Sequence, residues 1–215
     1  MFIGHFALAY GVKKVVPKVS LGTLFLAVQL ADLVWPALVL LGIETVVVAP
    51  GITAFTPLDF VSYPYSHSLV ALAGWAMALA VAYMLARRGR VREALVLAGL
   101  VLSHWVLDVI SHRPDMPLTI GGAHKLGLGL WDSVPGTIVV EGTMFAAGAA
   151  LYMKSTAAAD RTGKFAAWAL VGFLAVVYAA NAFGPPPPGA LAVAWAAEAM
   201  WLLVAWAWWA DRHRR

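Results

Sequence analysis

The sequence lacks cysteine entirely and has few charged residues. None of its 215 residues is cysteine, which excludes disulfides, thiolate-held iron–sulfur clusters, thiolate zinc sites and a cysteine nucleophile. Any metal must therefore be held by His, Asp or Glu side chains. Only 12% of the residues are charged and 62% are hydrophobic, which is too apolar a composition for a soluble domain. The composition predicts an integral membrane protein.

Long polar segments are also lacking, so we expect one helical membrane domain over residues 1–215. An apolar run of about 20 residues crosses roughly 30 Å of hydrocarbon as a helix. Six such runs are clear, and a shorter apolar segment at residues 1–16 is either a span or re-entrant. The sequence thus predicts an all-α polytopic fold of about seven transmembrane helices, with the six clear runs at residues 20–41, 66–86, 92–112, 133–153, 165–183 and 190–210.

Lysine and arginine gather in every second loop between these runs. Short loops rich in these residues stay on the cytoplasmic side of a membrane. The clusters lie at residues 13–18, 87–92, 154–164 and 212–215. We therefore expect an outside N-terminus, if residues 1–16 span, and a cytoplasmic C-terminus in the cytoplasmic membrane of a bacterium or archaeon. The net charge of +4 reflects this loop pattern and does not indicate a nucleic-acid partner.

One apolar run carries three ionisable residues at helical spacing. In LSHWVLDVISHRPDMP, residues 102–117, His104, Asp108 and His112 follow at steps of four, so all three fall within about 80° of one helix face. A charge at the centre of a membrane span costs roughly 2.5–3.5 kcal/mol on insertion scales, so such groups need a partner or a function. A His and a carboxylate one turn apart are typical of a metal-ligand pair, or of a ligand and its hydrogen-bonding partner. This helix face predicts a metal site.

Further ionisable residues are predicted at the same depth. Asp32 lies slightly outward of the middle of its run, and His67 begins the next run with Ser66 as its expected N-cap. His5 lies near the outer end of the N-terminal segment if that segment spans. We therefore expect four separate elements to bring His or Asp side chains toward the outer half of the bundle.

Other polar residues are open to two interpretations each. Glu141, inside an apolar run, is either a general base facing this cluster or a partner for a neighbouring helix. His112 is either a ligand or the cap of its span. Asp115 and Arg113 are compatible with a plain surface pair.

Four short segments resemble the successive motifs of a known family. They are GHFALAYG from Gly4, LADLVWP around Asp32, YSHSL around His67 and SHWVLD from Ser103. In order, spacing and hydrophobic setting they resemble the LexA-regulated, predicted membrane-bound metal-dependent hydrolases, over roughly residues 1–118. The chain differs in having one Asp where a two-acid turn is frequent, at Asp32, and SYPYS where a basic segment leads into the histidine motif. Together with the HRPDMP segment from His112 and the GLGLW segment from Gly127, these differences indicate a divergent subgroup.

The resemblance implies a metal site and a hydrolytic activity on phosphoester or lipid bonds. The implied site consists of His5, Asp32, His67, His104 and Asp108. Among these we expect His67, His104 and Asp108 to be the first ligands. Asp32 is expected as a ligand or general base, and His5 as a further ligand.

We accordingly expect a membrane-embedded hydrolase that uses a metal-activated water on a lipid-linked or phosphoester substrate taken from the membrane lipid. In the absence of thiolates, Zn²⁺ is the first expectation, with Mn²⁺ and Fe²⁺ as alternatives. Five or six candidate ligands could instead hold two ions about 3.5–4 Å apart. His112 and Glu141 are the candidates for proton transfer.

Two other functions use the same residues. In a proton- or ion-coupled transporter, the His and Asp side chains would form a relay, and inverted repeats and broken helices would be expected. In a non-catalytic membrane protein, a metal would only staple helices together.

Overall fold

The computed structural model describes all 215 residues and is built mainly of α-helices. The helices are α1 (Ile3–Val12), α2 (Leu21–Val28), α3 (Leu30–Leu40), α4 (Pro64–His67), α5 (Leu69–Ala86), α6 (Val91–Ser111), α7 (Val134–Ser155), α8 (Arg161–Phe183), α9 (Ala190–Glu198) and α10 (Met200–Arg212). The predicted all-α class is confirmed at this level, since each of the six apolar runs folds as helix.

Five helical stretches are long and apolar enough to cross a membrane. They are α5, α6, α7, α8 and the stretch Ala190–Arg212 that α9 and α10 form together. The pair α2 and α3 makes a sixth if it is counted as one span, although it is bent by 56° at Gln29. These apolar helices support a membrane location. The structure thus offers five or six candidates for the seven expected spans.

The expected seventh span rests on α1, which is short and central. Its ten residues extend for about 15 Å, half the thickness of the hydrocarbon core. Seven of the ten are buried, so most of its surface faces protein. A side chain at Gly148 of α7 would meet the carbonyl oxygen of Ala7 at 2.3 Å, which explains why a glycine stands where these two helices touch.

Side-chain caps fix where four helices begin. Ser20, Ser68, Ser133 and Asp160 each accept a hydrogen bond from the backbone N–H three residues further on, at the first turns of α2, α5, α7 and α8. The predicted cap at Ser66 is therefore wrong, because the chain makes the separate short helix α4 before α5 begins.

Two small hairpins cover one end of the bundle, where the sequence indicated only loops. Strand β1 (Thr45–Val48) pairs antiparallel with β2 (Leu58–Ser62), and Val46 lies opposite Phe60. Strand β3 (Met116–Pro117) pairs antiparallel with β4 (Lys125–Leu126) just beyond α6. The hairpins bring the segments before α4 and after α6 together at the end of the bundle where α6 ends.

A buried ion pair closes the opposite end. The Lys13 ammonium lies 2.6 Å from an Asp211 carboxylate oxygen and donates to the Val19 carbonyl at 2.8 Å. Asp211 also accepts the Tyr152 hydroxyl at 2.9 Å and the Leu21 N–H at 3.0 Å. This cluster ties α2, α7 and α10 to the segment that follows α1.

Candidate metal centre

Helix α6 presents His104 and Asp108 one turn apart, both buried. The Nδ1 atom of His104 lies 2.7 Å from the Val28 carbonyl oxygen. Because a carbonyl can only accept, Nδ1 carries the hydrogen and the neutral ring has its lone pair on Nε2. That Nε2 lies 3.1 Å from Asp108 Oδ2 but makes no hydrogen bond. A buried lone pair thus faces a carboxylate oxygen.

Three further helices add the other predicted ligands. His5 of α1 lies with Nε2 3.0 Å from Asp108 Oδ1, and its ring stacks on His104 at 3.8 Å between centroids. His67 of α4 has its Nε2 3.3 Å from Asp32 Oδ1, on α3, and 3.9 Å from Asp108 Oδ2. Asp32 Oδ1 is also 3.7 Å from His104 Nε2. The structure therefore brings all five side chains together from four helices.

This arrangement fits a metal ion. Two groups, His5 with His104 and Asp108, and Asp32 with His67 and His104, each place three possible ligand atoms within 4.8 Å of one another. Ligands of a tetrahedral ion bound at about 2.0–2.1 Å are about 3.3 Å apart. The separations of 3.0 to 3.9 Å between carboxylate oxygens and imidazole nitrogens surround that value. The buried His/Asp group could hold a metal ion.

A serine and a glutamate fix the orientation of His67. The Ser66 hydroxyl lies 2.7 Å from His67 Nδ1 and 2.6 Å from Glu44 Oε2. A carboxylate can only accept, so the hydroxyl donates to Glu44 and accepts the Nδ1 hydrogen, which leaves the Nε2 lone pair toward the cluster. Glu44 also accepts the backbone N–H groups of Tyr65 and Ser66, at 2.8 and 2.9 Å. Sequence reasoning missed Glu44 and interpreted Ser66 only as a helix cap, because nothing local pairs position 44 with position 66.

Two more groups surround Asp108 and the start of α1. The Met1 amine donates to Asp108 and, at 2.9 Å, to Ser111. Glu141 of α7 accepts the N–H groups of Phe2 at 2.8 Å and Gly4 at 3.2 Å, and so holds the first turn of α1. This position favours the interpretation of Glu141 as a partner for a neighbouring helix over that of a general base.

His112 belongs to a separate hydrogen-bonded network just beyond α6. Its Nδ1 lies 2.9 Å from Asp115 Oδ1, which also accepts the Tyr63 hydroxyl at 2.8 Å. Arg113 donates to the other oxygen of Asp115 at 3.1 Å and pairs with Asp59. Asp115 is 6% exposed, so it is not part of a plain surface pair. The spacing of three in HRPD was the available signal for this pair.

Burial and hydrogen bonding act in opposite directions on the pKa of each group in this network, and both pKa values end below their usual range. Burial lowers the pKa of His112, which favours its neutral ring. Burial acts to raise the pKa of Asp115, but the hydrogen bonds from His112 and Tyr63 hold it below its usual value. The network is thus arranged as a carboxylate that orients a neutral imidazole.

A cavity of about 920 Å³ connects the two sets of residues. Asp32, His67, Asp108 and His112 line one end of it, whereas His5 and His104 lie behind them. None of the hydrogen bonds of His112 uses its Nε2 atom. A molecule in the cavity therefore reaches two carboxylates and two imidazoles together.

No family model, no curated protein and no solved structure matches this chain. Its function must therefore be inferred from the site geometry.

Proposed function

We propose that this protein is a membrane-embedded, metal-dependent hydrolase that acts on a lipid-linked or phosphoester substrate. The observation that carries the proposal is the buried Nε2 of His104, which faces carboxylate oxygens without a hydrogen bond. A lone pair and carboxylates in such contact repel each other unless a proton on Nε2 or a metal ion lies between them, and only a metal ion would engage all five side chains. The parallel stacking of His5 on His104 disfavours two protonated rings as the solution.

Five side chains are the proposed ligands, and they suit Zn²⁺ first, with Mn²⁺ or Fe²⁺ as alternatives. They are His5, Asp32, His67, His104 and Asp108. A divalent ion held there would supply a water of lowered pKa and a Lewis acid for the oxygen of the scissile bond. Because His104 belongs to both groups of three, the cluster suits one ion or two neighbouring ions.

The charges in the cavity also favour a cation at this site. Asp32 and Asp108 both line the cavity, and the Met1 amine pairs with Asp108 alone, so without a further cation Asp32 would repel the anionic head of a phosphoester. Neutralising them turns the same end of the cavity into a surface that attracts an anion.

The pair His112 and Asp115 is suited to proton transfer. Asp115 accepts the Nδ1 hydrogen, which leaves a lone pair on His112 Nε2, and His112 lines the cavity. The imidazole would take a proton from the attacking water and give it to the leaving oxygen. Asp115 positions that imidazole and does not contact the reacting atoms.

The motif resemblance supports the same reaction class. Its four segments contain the five proposed ligands, and the family's presumed chemistry is metal-dependent hydrolysis in a membrane.

A proton- or ion-coupled transporter is the second candidate, and one observation favours it. The helical pair α2 and α3 is broken by 56° at Gln29, three residues before Asp32. Broken helices beside buried ionisable residues are typical of transporters. In that case His104 and its neighbours would exchange protons rather than hold a metal.

Elemental analysis of the detergent-purified protein tests the proposal. We expect near-stoichiometric metal in the protein, and none above background in a variant carrying both His104→Ala and Asp108→Ala. The matched control carries His124→Ala and Asp132→Ala, which remove a His and an Asp exposed near the same end of the bundle. Metal-dependent hydrolysis of phospholipids and lipid phosphates is then the expected activity.

Two other outcomes would overturn the proposal of a metal-dependent hydrolase. Absence of metal from the unchanged protein, even after incubation with Zn²⁺ and Mn²⁺, would contradict the metal site and make ion flux the next measurement. Bound metal without hydrolysis of any phosphoester would contradict the enzyme and leave a metal that only staples helices.

A further inference from the structure

We infer that the cavity binds one membrane amphiphile, with a phosphate head at the His/Asp cluster and an apolar chain lying against α8, α9 and α10. The inference rests on the proposed function for the identity of the head group. The position of the chain rests on the cavity itself.

Charge is confined to one end of the cavity. The only acidic or basic side chains among its lining residues are Asp32, His67, Asp108 and His112. Met1 also lines the cavity, and its amine bonds Asp108 at the same end. Most of the remaining lining comes from the loop between β1 and β2, from α8 to α10 and from the GPPPPG turn between α8 and α9, and none of these segments has a charged side chain in the cavity. A ligand that fills this space must be polar at one end and apolar along the remainder.

Two unused hydrogen-bond donors lie at the polar end. The indole N–H groups of Trp35 and Trp131 are buried without an acceptor, and both residues line the cavity. Trp35 follows Asp32 by one turn of α3, and the Trp131 ring packs on His112 with centroids 4.2 Å apart. A buried donor without an acceptor is unfavourable, and a phosphate oxygen of the ligand would supply the missing acceptor. These donors favour a head rich in oxygen acceptors.

The apolar end of the cavity borders the surface that faces lipid. Phe173 of α8 and Leu202 of α10 line the cavity and are also 45% and 70% exposed. In a helix of a membrane-spanning bundle, such residues are in contact with acyl chains. A ligand can therefore enter from the bilayer without leaving an apolar environment.

Small side chains leave the room that a chain requires. The walls on α8 and α9 include Ala180, Ala192 and Ala196. The cavity of about 920 Å³ is at the upper end of the range of roughly 300–1,000 Å³ for ligand pockets. Its size exceeds what a free phosphate needs, so the chain is part of what is recognised.

Photolabelling locates the chain directly. The probe is hexadecyl phosphate with a diazirine at the end of the chain, added to the metal-loaded protein in phosphatidylcholine bilayers. After irradiation, we expect label that excess unlabelled hexadecyl phosphate removes on α8 and on Ala190–Arg212. Helix α5, which is largely exposed and does not line the cavity, reports labelling by bulk lipid. Equal competed labelling of α5, or no competed label, would overturn the inference.

Substitutions on the wall give the matched test. Ala180→Trp and Ala196→Trp fill the cavity and are each expected to lower the competed label at least about fivefold, the low end of the effect of overpacking. Ala179→Trp places the same side chain on an exposed part of α8 outside the cavity and should leave the label unchanged. Equal loss in all three variants would contradict a specific chain site.

The head is tested by competition with hexadecanol, which has the chain without the phosphate. We expect it to displace the probe at least about fivefold less well, since its one uncharged hydroxyl is a weaker acceptor than a phosphate and carries no negative charge toward a metal ion. Equal competition would contradict a phosphate head.

The chain site and the hydrolase can fail separately. If the chain site is wrong but the enzyme is right, p-nitrophenyl phosphate is hydrolysed with metal while competed label is absent. If the enzyme is wrong but the chain site is right, the label maps to α8 and Ala190–Arg212 and no phosphoester is turned over.

Discussion

The two ends of this bundle each bury an ionisable cluster, and the two clusters differ in how completely the protein satisfies them. At the Lys13 end, one ammonium meets one carboxylate, and both oxygens of Asp211 accept hydrogen bonds. At the His104 end, two carboxylates share three imidazoles and the Met1 amine, and His104 Nε2 is left without a hydrogen bond. Only the second cluster lines the large cavity.

This difference separates structural from functional use of buried charge. A buried ion pair whose donors and acceptors are all paired stabilises one arrangement of helices and has no free donor or acceptor for a ligand. At the His104 end the Met1 amine pairs with Asp108 alone, so the second carboxylate and an unused lone pair are available to a bound cation. The comparison therefore predicts that substitutions at the two ends will affect different measurements: stability at the Lys13 end and metal binding at the His104 end.

Asp108→Asn should have the largest effect on metal binding. The Asp108 carboxylate lies within 4 Å of three imidazoles, those of His5, His67 and His104, and the amide removes its charge. Structural zinc sites of four ligands bind with about 10–16 kcal/mol, so one ligand accounts for about 3–4 kcal/mol, or on the order of 10²–10³-fold in the metal dissociation constant. Competition with a chelating dye measures the change in this dissociation constant. Asp211→Asn, a buried carboxylate of the other cluster, is the control and should retain the metal.

Lys13→Met should destabilise the fold and leave the metal in place. It removes one partner of a buried pair, which costs about 3–5 kcal/mol of unfolding free energy. Thermal unfolding in detergent measures the loss, and Lys14→Met, at the exposed neighbouring lysine, should change little. If Lys13→Met lost metal at unchanged stability, the two clusters would not be separate in function.

The sequence was sufficient to identify the proposed ligands that share one helix face or one depth in the membrane. His104 and Asp108 follow from a spacing of four in an apolar run, Asp32 from the cost of placing it in lipid, and His67 from its position at the outer start of the next run. The expected convergence at one end of the bundle is present in the structure, and whether these groups hold a metal is still a prediction. Hydrophobic periodicity predicts helices and depths well because burial in lipid constrains every residue of a span.

The supporting groups could not be found in this way. Glu44 reaches Ser66 only because the hairpin of β1 and β2 folds the chain back, and no periodicity specifies that hairpin. Likewise the bend at Gln29 and the central position of α1 depend on packing between elements distant in sequence. The sequence was thus informative about the residues within each span, but not about how the loops fold or how distant elements pack together.

Asp115→Asn sharpens the comparison within the His104 end, because it separates proton transfer from metal binding. The amide still bonds His112, but it no longer specifies the tautomer with a free Nε2 lone pair. We expect the rate of hydrolysis to fall about 100-fold, the low end of the contribution of general acid–base catalysis, at unchanged metal content. Asp132→Asn, at an exposed carboxylate nearby, should have no effect. Loss of metal in Asp115→Asn would show instead that the network shapes the metal site.

Ser66→Ala should have the smallest effect, and it tests how much the hydrogen bonds behind the proposed ligands contribute at the His104 end. Removing the hydroxyl leaves His67 Nδ1 without its acceptor and Glu44 Oε2 without its donor. Partners of this kind contribute 10–100-fold to metal affinity, and we expect about tenfold here, since Glu44 still bonds the backbone and holds α4 in place. Chelator competition measures the change, with Ser62→Ala, at the exposed end of β2, as the control. Unchanged affinity would mean that the His67 ring is oriented by packing alone, whereas a loss as large as that of Asp108→Asn would make the Glu44 hydrogen bonds a condition for assembling the site.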